Sequence, residues 1–194
     1  MQLWTVQTER ALRTLERDGQ LCSDRNLVDS EFLPAYDWMT DQMGQRIALP
    51  PTGISVPLWA WYQYESASRQ RPDLRRSNHL PRGETGFLIE FNANDGSVLL
   101  SDFDLWHFVL NYWYLPGTVA DGERVDSKHG FNYGWNKLSP TKLDRRIRDS
   151  RRRIFDLDWY DPELTVEPGQ RRIQGTFWTL KADSVRTVKK FVAR

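Results

Sequence analysis

Hydrophobic and polar positions change period several times along the chain, and each change marks an element. QLWTVQT alternates Leu3 and Thr5 against Trp4 and Val6, which predicts a short opening strand. In ERALRTLERDG, Ala11, Leu12 and Leu15 share one helical face, Thr8 can cap the first turn, and Gly19 can close the last. Phe32, Tyr36, Met39, Met43 and Ile47 recur at spacings of three and four, predicting a second helix over about 34–47 that PPTG stops. ISVPLWAWYQY is β-branched and aromatic and reads as a strand, with Pro57 restricting it to an edge or marking its entrance. TGFLIEFNANDGSVLL predicts two strands paired as a hairpin about Asn94, Asp95 and Gly96.

Residues 65–84 and 116–139 show no periodicity and read as long irregular stretches. An arginine-rich helix is expected from about Pro140, followed by FDLDWYDPEL and by two closing strands, RRIQGTFWTL and SVRTVKKFVAR. Strands and helices do not alternate strictly, which argues against a doubly wound parallel sheet. The expected fold is therefore α+β, one domain over 1–194 with a mostly antiparallel sheet.

One segment mixes polar groups into a greasy run. In VLLSDFDLWHFVLNYWYL, Ser101 is a good helix N-cap, and Asp102 and Asp104 would complement the dipole in the first turn. Beyond them Ser101, Asp104, His107 and Asn111 line up as a narrow polar stripe. That stripe has two readings, the thin solvent edge of a buried helix or the wall of a cleft in which Asp104 holds His107 as a titratable pair.

Composition narrows the function classes. The 194 residues are 39% hydrophobic and 13% aromatic with nine tryptophans, ample surface for a core. The longest apolar run, near Leu105 to Leu115, is too short to span a bilayer, so no membrane helix is expected. MQLWTVQTER has no signal-peptide pattern and Cys22 is the single cysteine, so a cytoplasmic location is expected.

Net charge is only +1, yet arginines cluster: Arg69, Arg71, Arg75, Arg76 and Arg82 in one loop, and Arg145, Arg146, Arg148, Arg151, Arg152 and Arg153 in the late helix. Arginine forks suit phosphate, although Asp144 and Asp149 at helical spacing also fit an ordinary solvated face. His79, His107 and His129 are scattered and no metal-ligand motif occurs, so no metal site is expected.

Read in order, LWTVQT, AYDWM, PLWAWY, LLSDFDLWHFVLN, IFDLDW and IQGTFWTL resemble the bacterial family known as domain of unknown function 3841, across nearly the whole chain. The same stretches bear a fainter resemblance to the DNA ADP-ribosyltransferase toxins of toxin–antitoxin systems, which transfer ADP-ribose from NAD to a nucleobase. Thr5 and Gln7 stand where those toxins have His-x-Thr. Gln20 and Leu21 follow Gly19, Arg46 precedes the aromatic strand, and Leu100-Ser101-Asp102 stands for their Thr-Asp. Asp158-Trp159 matches, and Gln174-Gly175-Thr176 occupies the place of Gln-Ala-Glu. The chain departs from the toxins at Thr5, where they have the ribose-binding histidine, and at Thr176, where they have the glutamate that stabilises the oxocarbenium-like sugar.

The resemblance implies an ADP-ribosyltransferase-like fold and a site for NAD or a related nucleotide between the opening strand and the aromatic strand. In it Thr5 and Gln7 would bond ribose or amide, Arg46 would pair with a phosphate, and Trp61 or Tyr62 would stack on a ring. Asp104 and His107 would serve as the acid–base pair and Gln174 would orient a nucleic-acid or protein target. The alternative from another class is a non-catalytic interaction module that meets nucleic acid or protein through its arginine clusters.

Overall fold

The computed structural model describes residues 1–77, 79–129 and 142–194, with the backbone alone at 129, 142 and 143. The chain opens with β1 (Gln2–Thr8) and α1 (Glu9–Asp18). Thr8 accepts from the Ala11 amide at 3.3 Å, and Gly19 closes α1 in the left-handed region at φ 71°. β2 (Gln20–Cys22), α2 (Leu33–Arg46) and β3 (Leu58–Gln63) follow, with Pro57 just before β3. Then come β4 (Thr85–Asn92), β5 (Leu99–Asp102), α3 (Phe103–Leu110), α4 (Val119–His129) and α5 (Lys142–Ser150). β6 (Ile173–Phe177), β7 (Thr179–Lys181) and β8 (Val185–Val192) end the chain. The fold is α+β.

Six strands form one sheet in the order β5-β6-β3-β1-β4-β8 with every neighbour antiparallel, and β2 pairs with β7 apart from it. Period-two alternation then separates two faces. Leu3, Ala60, Ile89, Phe91 and Phe177 meet Leu12 and Leu15 of α1 and Leu21 and Leu180 of the small sheet. On the other face Leu99 and Trp59 pack under Ala35, Met39 and Met43 of α2 and under Leu105, Trp106 and Val109 of α3. Each buried Leu, Ile, Val, Phe or Met among them contributes about 1.5–3 kcal/mol. β8 is an edge strand on which Arg186, Val188, Lys189 and Lys190 are exposed.

Several expectations need correction. β4 and β5 are not a hairpin, because β1, β3 and β6 lie between them. The connection is a single 3-10 turn, Asp95–Ser97, in which Asn94 accepts from the Gly96 amide at 3.0 Å, and none of its residues takes the positive φ that a tight hairpin turn requires. The stretch 116–139 is not wholly irregular, since α4 starts at Val119 and Thr118 accepts from the Asp121 amide at 3.2 Å; residues 130–139 lie outside the described residues. The late arginines do not share one helix either. α5 stops at Ser150, the chain tightens into a 3-10 turn over Arg151–Phe155, and Arg151 is fully buried beneath the ring of Tyr112. No helix among the described residues is long and apolar enough to cross a membrane.

Candidate functional site

β5 passes into α3 without a loop, and the residue that makes this possible is Asp102. Its carboxylate accepts from the amides of Asp104 at 2.8 Å and Leu105 at 3.0 Å, so the N-cap is Asp102 rather than Ser101, which is buried in the strand. Burial pushes the Asp102 carboxyl above its ordinary range. Fully buried Arg171 stands 3.7 Å from it and donates to the carbonyls of Asp156 and Trp159. One side chain thus ties together the start of α3, the 156–159 turn and the approach to β6.

That framework borders a cleft of about 860 Å³, inside the range of small-molecule sites. Its lining comes from β1 and β3, from Tyr64, Glu65, Arg76, Ser77 and His79, from the start of α3, and from the run into β6. Trp61 lies between Tyr64 and Phe103, with ring centroids 4.9 Å apart on each side. Arg172 sits 4.6 Å over Phe103 and holds Asp104 through both Nε and Nη2, which raises the arginine above its ordinary pKa. Across the cleft Arg76 pairs with Glu65 at 2.6 Å, and hydrogen bonds from Arg69 and Arg76 hold that carboxyl low. The cleft therefore has an aromatic floor and two guanidiniums, each neutralised by a carboxylate.

Beside it β1 and β3 pair at a single register point, Trp4 with Trp61. Further along, the Thr5 hydroxyl donates to the Trp59 carbonyl at 3.0 Å and the Gln7 amide donates to Thr5 at 2.8 Å, side chains standing in for a missing ladder. Thr5, Val6 and Trp59 are shared with a second pocket of about 480 Å³, which Gln7 also lines.

Of the residues singled out in sequence, Thr5, Trp61, Asp104 and Gln174 converge on the cleft from β1, β3, α3 and β6. Tyr62 points to the opposite face of β3 and packs against the α1 core. Arg46, at the end of α2, lies over Phe155 and does not line the cleft. His107 is exposed, its Nδ1 is 3.1 Å from the Phe103 carbonyl, and Asp104 pairs with Arg172 instead, so the Asp104–His107 pair is not formed. The polar stripe on α3 is thus mainly its solvent edge. Thr176 is fully buried, its hydroxyl 3.3 Å from the Met43 sulfur and donating to the Leu99 carbonyl at 3.2 Å.

Arg172, Phe103, Tyr64 and Glu65 escaped the sequence reading, while Arg76 was marked only as one of a loop cluster of arginines and not as part of this cleft. Arg172 had a signal: it is two residues before Gln174, and alternation along an extended run puts both on one face. The loop residues had none, because nothing local fixes where a long loop folds. Gly175, between Gln174 and Thr176, faces the other core, where an added Cβ would stand 2.6 Å from Val98 Cγ1. Gly175→Ala should cost about 1–3 kcal/mol in chemical denaturation; an unchanged midpoint would show that β5 and β6 can shift apart freely.

Fold and site define an α+β protein with a six-stranded antiparallel main sheet and an aromatic, arginine-flanked cleft at its surface. The chain belongs to the family described as Domain of unknown function (DUF3841), whose model matches residues 2–186. Neither a curated protein nor a solved structure matches it.

Proposed function

We propose that the protein binds NAD or a related nucleotide in the cleft, with an ADP-ribosyltransferase-like layout, and acts on a nucleic-acid or protein target. The observation that carries this reading is the meeting of Thr5, Trp61, Asp104 and Gln174, far apart in sequence, on one cleft. A base has Trp61 and its ring neighbours to stack on. A phosphate has Arg172, which would exchange the Asp104 carboxylate for it. Gln174 offers an amide that both donates and accepts. Release of Asp104 by Arg172 would leave a free carboxylate beside the ligand, in the role that Thr176 cannot fill.

Burial of Thr176 favours a second reading, in which the cleft holds a nucleotide without transferring part of it. The two readings separate in one experiment on purified protein, following NAD consumption together with calorimetric binding of NAD and ADP-ribose. Binding with turnover supports the transferase; binding without turnover supports the second reading. Trp61→Ala should weaken nucleotide binding about tenfold or more if stacking drives it. The absence of any binding heat and of any thermal shift with either nucleotide removes both.

A further inference from the structure

We propose that Arg46 and Arg152 form a binding site for a phosphate group, apart from the cleft and independent of the reading given to it. Arg46 ends α2, and its guanidinium lies 4.5 Å over the ring of Phe155, which in turn stacks on Trp38 at 5.7 Å. Its Nε donates to Gln42 at 3.3 Å, and its two Nη groups have no protein acceptor among the described residues. Arg152 belongs to the same short turn as Phe155, is exposed, and likewise has no acceptor there.

Arg153, one residue on, is spoken for: it donates to the Leu115 carbonyl at 2.8 Å and covers the ring of Trp159. Among the described residues neither Arg46 nor Arg152 forms an ion pair with a carboxylate, although Asp41, Asp149 and Asp156 are near in sequence. Partial loss of water and the positive charge of Arg152 both push Arg46 below the ordinary arginine range. Some exposed arginines elsewhere are closed by a carboxylate, as Arg13 is by Glu9 and Arg75 by Asp73.

Arg46, immobilised over the Phe155 ring, and exposed Arg152 of the same turn as Phe155 offer two free cationic forks to a bound dianion. The planar forks and the open Nη groups suit the oxygens of a phosphate. That phosphate can belong to a nucleic-acid backbone or to a free small molecule; the chemistry of recognition is shared.

The test uses the whole protein with inorganic pyrophosphate and, separately, a short labelled oligonucleotide. Pyrophosphate should raise the melting temperature. Arg46→Gln and Arg152→Gln should each weaken its binding about tenfold, with unchanged circular dichroism, and Arg46→Lys should retain part of it. If oligonucleotide binding needs both arginines and falls with salt, the phosphate is that of a nucleic acid; if pyrophosphate alone needs them, it is that of a small molecule. Pyrophosphate bound equally by wild type and both glutamine variants overturns the proposal. So does a poly-glutamate peptide that binds through these arginines as tightly as pyrophosphate. Trp61→Ala should leave this binding intact, so that the failure of one site is distinct from the failure of the other.

Discussion

Replacing Arg171 with methionine should lower the stability of the fold by about 3–5 kcal/mol, because it leaves a buried carboxylate without its cation. The loss has three parts in the structure: the Asp102 carboxylate 3.7 Å away, and the carbonyls of Asp156 and Trp159, all of which Arg171 serves from a fully buried position. The deficit should depend on pH in a definite direction. Burial holds the Asp102 carboxyl above its ordinary range, so the folded protein keeps this proton at a pH where the unfolded chain has released it. Protonation therefore favours the fold, and that contribution disappears as pH rises through the raised value.

Without Arg171 the carboxyl should rise further, making the deficit largest near neutrality and smaller toward pH ~4, the unfolded value for aspartate. Urea midpoints at the two pH values measure it. The double variant with Asp102→Asn should recover much of the loss, since asparagine still caps α3 and no charge is left buried. A deficit equal at both pH values, and not relieved by Asp102→Asn, would mean that the carbonyl contacts dominate.

Thr176→Glu is the second large effect expected. It installs the residue that the ADP-ribosyltransferase resemblance asks for, yet should destabilise by several kcal/mol, on the order of 4, and create no activity. Position 176 is fully buried beneath α2, against the sulfurs of Met39 and Met43, and offers a carboxylate neither water nor a cation. Denaturation with parallel measurement of NAD turnover decides the matter. A stable variant that gains turnover would show that α2 lifts away from β6 and that the cleft is larger than its resting form.

Local signals in the sequence were enough wherever an element is specified by its own residues. α1 carries its cap at Thr8 and its stop at Gly19, and α2 its spacing of apolar residues, so both were legible. The pairing of β4 with β5 was misread because Asn-Asp-Gly is compatible with more than one turn; the sheet decides, inserting three strands where a hairpin would leave none. The site was half legible for a similar reason. The toxin resemblance pointed to Thr5, Trp61 and Gln174, and alternation fixes only which residues of a strand share a face. It does not say which helix covers that face. α2 covers Thr176 and leaves Gln174 open, a difference of one residue pair that no period encodes. His107 failed because a helix ladder gave it a neighbour in Asp104, while a stronger partner, Arg172, arrives from 68 residues away.

The outermost strand of the sheet, β8, has a consequence for how copies of the protein meet in concentrated solution. An antiparallel encounter of two such strands centred on Val188 would set Arg186 of each copy opposite Lys190 of the other. Facing cations oppose that join at both ends, and salt weakens the opposition. The ribbon-like growth to which a long bare strand is prone is thus discouraged by charge rather than by cover, and is most discouraged in dilute electrolyte.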